Sequence, residues 1–270
     1  MNLKLLHIFL LSTAGTFLLC TPFINTVELA NGLVTGKMCW FHLAMLFFSV
    51  CVFFVMLTKK GTVIAFTFSD PLVLFFAGGV LITYKWNLNP EPEKLIFAGQ
   101  LVILWFLLRY VLTAYREFKF FFLFVLMFTG LIEAVWGMQQ LHGYSHSNHS
   151  LFRLTGSFFN PGPYSGYIAV ILPVCLWTAL RFQKGMHYFA WICVGAILIV
   201  LPAGMSRSAW IAAVVACGWV YWTERIGWEK TKAVYRRYKN ATIPFVAIVA
   251  ILAGCAIAGG YGMKRDSADG

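Results

Sequence analysis

The sequence predicts an all-α fold, a polytopic transmembrane helical bundle of about nine spans with the N-terminus inside. Three observations carry this. Of the 270 residues, 60% are apolar and 11% are charged, where a soluble domain has about 25% charged residues. The apolar residues fall into runs long enough to cross a bilayer, separated by short polar connectors. Lys and Arg are unevenly shared between alternate connectors. A soluble fold of this size has too little polar surface to cover so much Phe, Leu, Ile and Val.

The first run is 5–24, preceded by Lys4. A cleaved signal peptide is the rival reading. The run is longer than the h-region of about 7–15 residues, and Leu18-Leu19-Cys20-Thr21-Pro22 offers no small-x-small cleavage site. It reads as an uncleaved span. Further runs lie at 39–58, 63–84, 95–115, 118–138, 163–182, 187–204, 207–223 and 242–261. The third contains Ser69-Asp70-Pro71 and can begin as late as Pro71, which leaves 63–68 at the interface. With nine alternating spans, 14 of the 21 Lys and Arg fall on the side of the N-terminus. That asymmetry puts the N-terminus in the cytoplasm. It also accounts for the net charge of +11, which on a soluble protein points to nucleic acid. No nucleic-acid partner is expected here.

Two connectors stand out. Residues 224–241 are basic and read as a cytoplasmic topology anchor. Residues 139–162 form the longest outer loop and carry His142, His146 and His149. Their spacing makes a metal face only on a helix, and the surrounding Gly and Ser oppose one. Solvated histidines and no metal are expected. The seven cysteines are scattered through apolar runs with no CxxC spacing, so they read as small buried side chains.

The chemistry concentrates in 153–167, Arg-Leu-Thr-Gly-Ser-Phe-Phe-Asn-Pro-Gly-Pro-Tyr-Ser-Gly-Tyr. Asn160 is a good N-cap and Pro161 or Pro163 suits a first helical turn. A helix start presents free N–H groups to an anion, and Arg153 adds bidentate geometry for phosphate. An empty capped turn is the plain alternative. Met205-Ser206-Arg207-Ser208-Ala209-Trp210 opens a second helix on the same side. Ser206 can cap it, and Arg207 stands against the helix dipole. A bound anion explains that arginine; snorkelling to headgroups is the alternative. Glu133 lies inside an apolar run, on one face with Trp136 and Gln140. It is expected to pair with Arg153 or Arg207, the rival role being proton acceptor. Gln100 is a weaker intramembrane candidate. Tyr164, Ser165 and Tyr167 can hydrogen-bond a sugar or phosphate, or sit in an aromatic belt.

These elements, in this order and followed by Lys264-Arg265-Asp266-Ser267-Ala268-Asp269-Gly270, resemble the bacterial O-antigen ligase / O-antigen polymerase family. Members carry a similar Arg-x-x-Gly-x-Phe-x-Asn-Pro turn, a Ser-Arg element two helices later, and then a stretch that opens a large periplasmic loop. The resemblance covers about 150–270. It divides the chain into N-terminal transmembrane helices at 1–140 and a ligase-like transmembrane region at 141–270.

The resemblance implies a multi-pass bacterial inner-membrane glycosyltransferase with a periplasmic active face. Such an enzyme moves a glycan from undecaprenyl pyrophosphate to lipid A–core, to another glycan, or to a protein acceptor, without cofactor or metal. Arg153 and Arg207 stand at the arginine positions of the motifs. The substrate-binding candidates are then Arg153, Asn160, Arg207, Ser206, Glu133 and Tyr164. The acceptor-activating residue is expected beyond Gly270. A transporter is the alternative of another class, but no internal repeat marks one. An inactive fragment of such an enzyme is the third reading.

Overall fold

The computed structural model describes residues 3–26, 32–59, 67, 69–86 and 92–226. They are all-helical, with no strand among them. Eight α-helices follow in order: α1 Leu3–Leu19, α2 Gly32–Thr58, α3 Ser69–Trp86, α4 Pro92–Ala114, α5 Arg116–Leu141, α6 Pro161–Arg181, α7 Gly185–Val200 and α8 Arg207–Tyr221. Each lies on one of the expected apolar runs. The ninth run, 242–261, and the basic connector past Ile226 lie outside the described residues.

Five segments are long and apolar enough to cross a membrane: Gly32–Thr58, Pro92–Ala114, Arg116–Leu141, Pro161–Arg181 and Gly185–Gly204. The chain is membrane-embedded. Its outward faces are apolar, with Phe75, Val170, Ile211 and Val214 all exposed, as suits side chains whose solvent is hydrocarbon. The helix α1 has 17 residues. At 1.5 Å per residue it reaches roughly 26 Å, short of a hydrocarbon core of about 30 Å.

The packing forms two compact units. The first holds α1, α2 from Thr35, α3, α4 and α5 as far as Phe122. Leu11, Phe48, Val52, Val55, Val111 and Phe118 are fully enclosed in it. Gly15 admits the Phe118 ring, which a Cβ there would meet at 3.2 Å. Buried polar groups of this unit are paired, as a low-dielectric interior demands. His7 Nδ1 lies 2.5 Å from Tyr115 Oη and its Nε2 lies 2.8 Å from Thr58 Oγ1. Asp70, in the first turn of α3, accepts from Arg109, from Trp105 Nε1 at 3.0 Å and from the Thr67 N–H at 2.7 Å. The helix therefore starts at Ser69, ahead of Pro71, because Asp70 can close the turn before it.

The second unit holds Pro22–Val34, α5 from Leu123, α6, α7 and α8. The helix α6 is its centre, with Tyr164, Ile168, Ile171 and Cys175 enclosed. Gly130 of α5 lets Ile171 close in, to 2.8 Å from where a Cβ would stand. At one end of α6, Ser165 packs on Gly204, just ahead of α8. At the other end Glu224, just past α8, accepts from Trp177 Nε1 at 3.0 Å and pairs with Arg181 at 3.7 Å. So α6 and α8 run parallel and pack on each other, and α7, the antiparallel return in the chain, packs on α6 as well. The hairpin from α6 to α7 turns at Lys184, whose φ is 59°, and His187 Nδ1 caps it on Ala179 O at 2.7 Å.

Candidate functional site

The site grows from one stripe of α5. Gly130, Glu133, Gly137 and Gln140 recur at steps of three and four residues, which puts them on one helix face. The small residues let partners approach, and the polar ones reach past them. Tyr164 Oη and Leu154 occupy the space a Cβ on Gly137 would take. The Tyr164 hydroxyl donates to Glu133 O at 3.1 Å.

The long loop folds onto this stripe without helix or strand, as its Gly and Ser content predicts. Glu133 Oε2 accepts the Ser157 N–H at 3.0 Å. Gln140 Oε1 accepts the N–H groups of Thr155 and Gly156 at 2.9 and 2.7 Å. Its Nε2 donates to His146 O at 3.0 Å and to Gly156 O at 3.1 Å. Ser157 Oγ donates to Pro22 O at 2.6 Å, and Asn148 Nδ2 donates to Phe158 O at 3.0 Å. Gly156 has φ 55°. A side chain there would strain the backbone and run into the Glu133 carboxylate and the Tyr164 ring. The segment Leu154–Ser157 is thus sunk into the protein, while Arg153 and Asn160 on either side stay exposed.

At the end of the loop Asn160 caps α6, its Oδ1 accepting the Gly162 N–H at 3.0 Å, with Pro161 at the first helical position. Ser206 occupies the cap position of α8, but its hydroxyl lies 3.3 Å from Ser208 Oγ and makes no capping bond. The turn into α8 passes through Met205 at φ 52°. Arg207 is the first residue of α8 and is exposed. Both arginines lie at the end of this unit where α5 finishes and α6 and α8 begin. Neither has an ion-pair or hydrogen-bond partner among the described residues.

Two expectations change. Glu133 does not pair with Arg153 or Arg207. It is fully buried, its Oε2 serves a loop N–H, and the arginines are at the surface. Tyr164 is also fully buried, and its hydroxyl braces α5 through Glu133 O. Tyr167 Oη likewise binds Thr129 Oγ1 at 2.8 Å. Ser165 Oγ is enclosed with no hydrogen-bond partner among the described residues. In the other unit, Gln100 Oε1 lies 2.6 Å from His42 Nδ1. What the sequence reading passed over is the role of Gln140, Gly137 and Gly156. The signal available was the stripe of alternating small and polar residues near the end of an apolar helix.

A cavity of about 460 Å³ opens between the end of α5 and the loop, lined by Gln140, His142, Ser145, His146, Ser147 and Arg153 among others. Arg207 is not one of its lining residues. His149 stands apart, packed against Phe152 and Phe159. No group of three or more metal-ligand side chains occurs among the described residues. No protein-family model, curated protein or solved structure matches the chain.

Proposed function

We propose that this chain belongs to a membrane glycosyltransferase of O-antigen ligase type, which receives a glycan on undecaprenyl pyrophosphate at the loop end of the second unit. The observation that carries the reading is the shared location of Arg153 and Arg207. Both are exposed at the end where two parallel helices begin. Helix N-termini and guanidinium groups favour the same ligand, a phosphate-bearing anion. In this reading the loop end faces the periplasm and the N-terminus the cytoplasm, as the Lys and Arg distribution indicates.

The chemistry asked of these residues is leaving-group stabilisation. An acceptor hydroxyl gives its proton to a general base and attacks the anomeric carbon of the first sugar. The bond from that carbon to the pyrophosphate oxygen breaks, and its electron pair leaves with the lipid pyrophosphate. Negative charge grows there, where Arg153 and Arg207 hold it. Asn160 keeps its Nδ2 for the ligand while its Oδ1 caps α6, and Ser206 contributes a hydroxyl at the start of α8. Glu133 and Tyr164 act indirectly, by fixing the loop that carries Arg153. The acceptor is lipid A–core in the ligase form of the reading and a second glycan in the polymerase form.

The test is glycan transfer in membranes carrying the full-length protein. Arg207→Ala is expected to abolish transfer with membrane insertion unchanged. Normal transfer by that variant would sink the assignment.

A further inference from the structure

The long loop sorts its apolar side chains into two sets. Leu154 is fully enclosed, and Phe158 packs on Tyr164 and Tyr167, with ring centroids 6.5 and 5.6 Å apart. Leu151 and Phe159 turn the other way and are 59% and 48% exposed. The His149 ring gathers this outward set, packing on Phe152 at 4.8 Å and on Phe159 at 5.7 Å between centroids. Leu151 adjoins Phe152, and its N–H donates to His149 Nδ1 at 3.0 Å. Ser147 Oγ donates to Phe152 O at 2.5 Å. Between the two flanks runs Leu154–Ser157, the segment seated on α5 through Gln140 and Glu133. One Leu and two Phe are therefore held outward on a fixed loop.

We propose that Leu151, Phe152 and Phe159 form an interfacial anchor, which inserts into the phospholipid leaflet at the loop end of the second unit. Three observations name lipid as the occupant. The first is continuity with the lipid-facing side of α6. Phe159 stands just ahead of the Asn160 cap, and Pro163 and Val170, seven residues apart on one helix face, are exposed beyond it. The second is depth. The 21 residues of α6 reach roughly 31 Å at 1.5 Å per residue, about the thickness of the hydrocarbon core. With Arg181 ending the helix at one boundary, Phe159 comes at the other, where aromatic side chains settle between acyl chains and headgroups. The third is charge. Residues 142–160 contain no Asp or Glu, so no carboxylate of the loop repels headgroup phosphates. In water the three side chains leave apolar surface uncovered; in the acyl boundary that surface is buried. The fixed loop inserts them without a large ordering cost. The anchor is independent of the proposed glycan transfer.

The test uses the full chain, one copy per nanodisc, in phosphatidylcholine that carries a diazirine on its acyl chain. After illumination, peptide mass spectrometry is expected to find lipid adducts on Leu151, Phe152 or Phe159 as well as on the lipid-facing side of α6 around Val170. A second measurement reads the water side. A charged, membrane-impermeant maleimide should modify Leu151→Cys and Phe159→Cys roughly tenfold or more slowly than Tyr144→Cys, each rate taken relative to the same variant unfolded in SDS. Tyr144 is 86% exposed and serves as the water-facing reference. All three positions are exposed, and helicity by circular dichroism checks that the variants fold. Modification of Leu151→Cys and Phe159→Cys as fast as Tyr144→Cys overturns the anchor. So does the absence of adducts on 151–159 in discs where α6 is labelled. Slow modification without lipid adducts means that protein covers the group, and it overturns the anchor too.

Discussion

Glu133 Oε2 accepts the backbone N–H of Ser157 at 3.0 Å, so a fully buried carboxylate of α5 holds the floor of the loop that presents Arg153. Removing it strands a buried donor, which costs about 1–3 kcal/mol. Glu133→Ala is expected to lower thermal stability in detergent by that order and to speed hydrogen exchange at Ser157. Glu133→Gln retains an acceptor and should be milder in both. A catalytic proton acceptor would behave differently: Glu133→Gln would stay as stable as the parent and lose transfer.

Gly156 tests the same contact from the loop side. Alanine there meets a left-handed φ, worth roughly 1–2 kcal/mol, and overlaps Glu133 and Tyr164, worth about 1–3 kcal/mol more. Gly156→Ala should make the loop the first protease-cut segment of the chain, read by limited proteolysis. A loop as resistant as the parent's would show that the Leu154–Ser157 segment is not seated as described.

Tyr164→Phe removes one hydrogen bond to a backbone carbonyl. A loss of about 1 kcal/mol in unfolding free energy is expected, with carrier binding unchanged. Weakened carrier binding at full stability would return Tyr164 to the ligand-contacting role first expected of it.

Ser165→Ala should go the other way. The Ser165 hydroxyl is buried against Gly204 with no hydrogen-bond partner among the described residues. Replacing an unsatisfied buried hydroxyl by hydrogen is expected to stabilise by roughly 1 kcal/mol, seen as a higher melting temperature. Destabilisation would mean that the hydroxyl has a partner at the start of α6.

The helices were legible in the sequence because long apolar runs leave the backbone in lipid one open-chain solution, the α-helix. Asn160 was legible as a cap for an equally local reason: its side chain reaches an N–H only two residues ahead. The roles of Glu133 and Tyr164 were not. Each depends on a partner 24 or 31 residues away, and the loop's path onto α5 decides which one. An intramembrane carboxylate advertises that it has a partner, but not whether that partner is an arginine or an N–H. Gln140 was harder still, since its importance lies in backbone groups that every residue carries. The convergence of Arg153 with His142 and His146 in one cavity needed the turn of the loop itself.

Arg153 and Arg207 are proposed to hold the same pyrophosphate. The most direct measurement is the affinity of the full chain in nanodiscs for undecaprenyl pyrophosphate, compared among the parent, Arg153→Ala, Arg207→Ala and the double variant. A charge-assisted hydrogen bond to phosphate is worth about 1.5–3 kcal/mol, so each single variant should bind roughly tenfold or more weakly. The two losses should not add, because the sites share one ligand. Affinity at the parent level in either single variant would rule out a pyrophosphate shared by the two arginines.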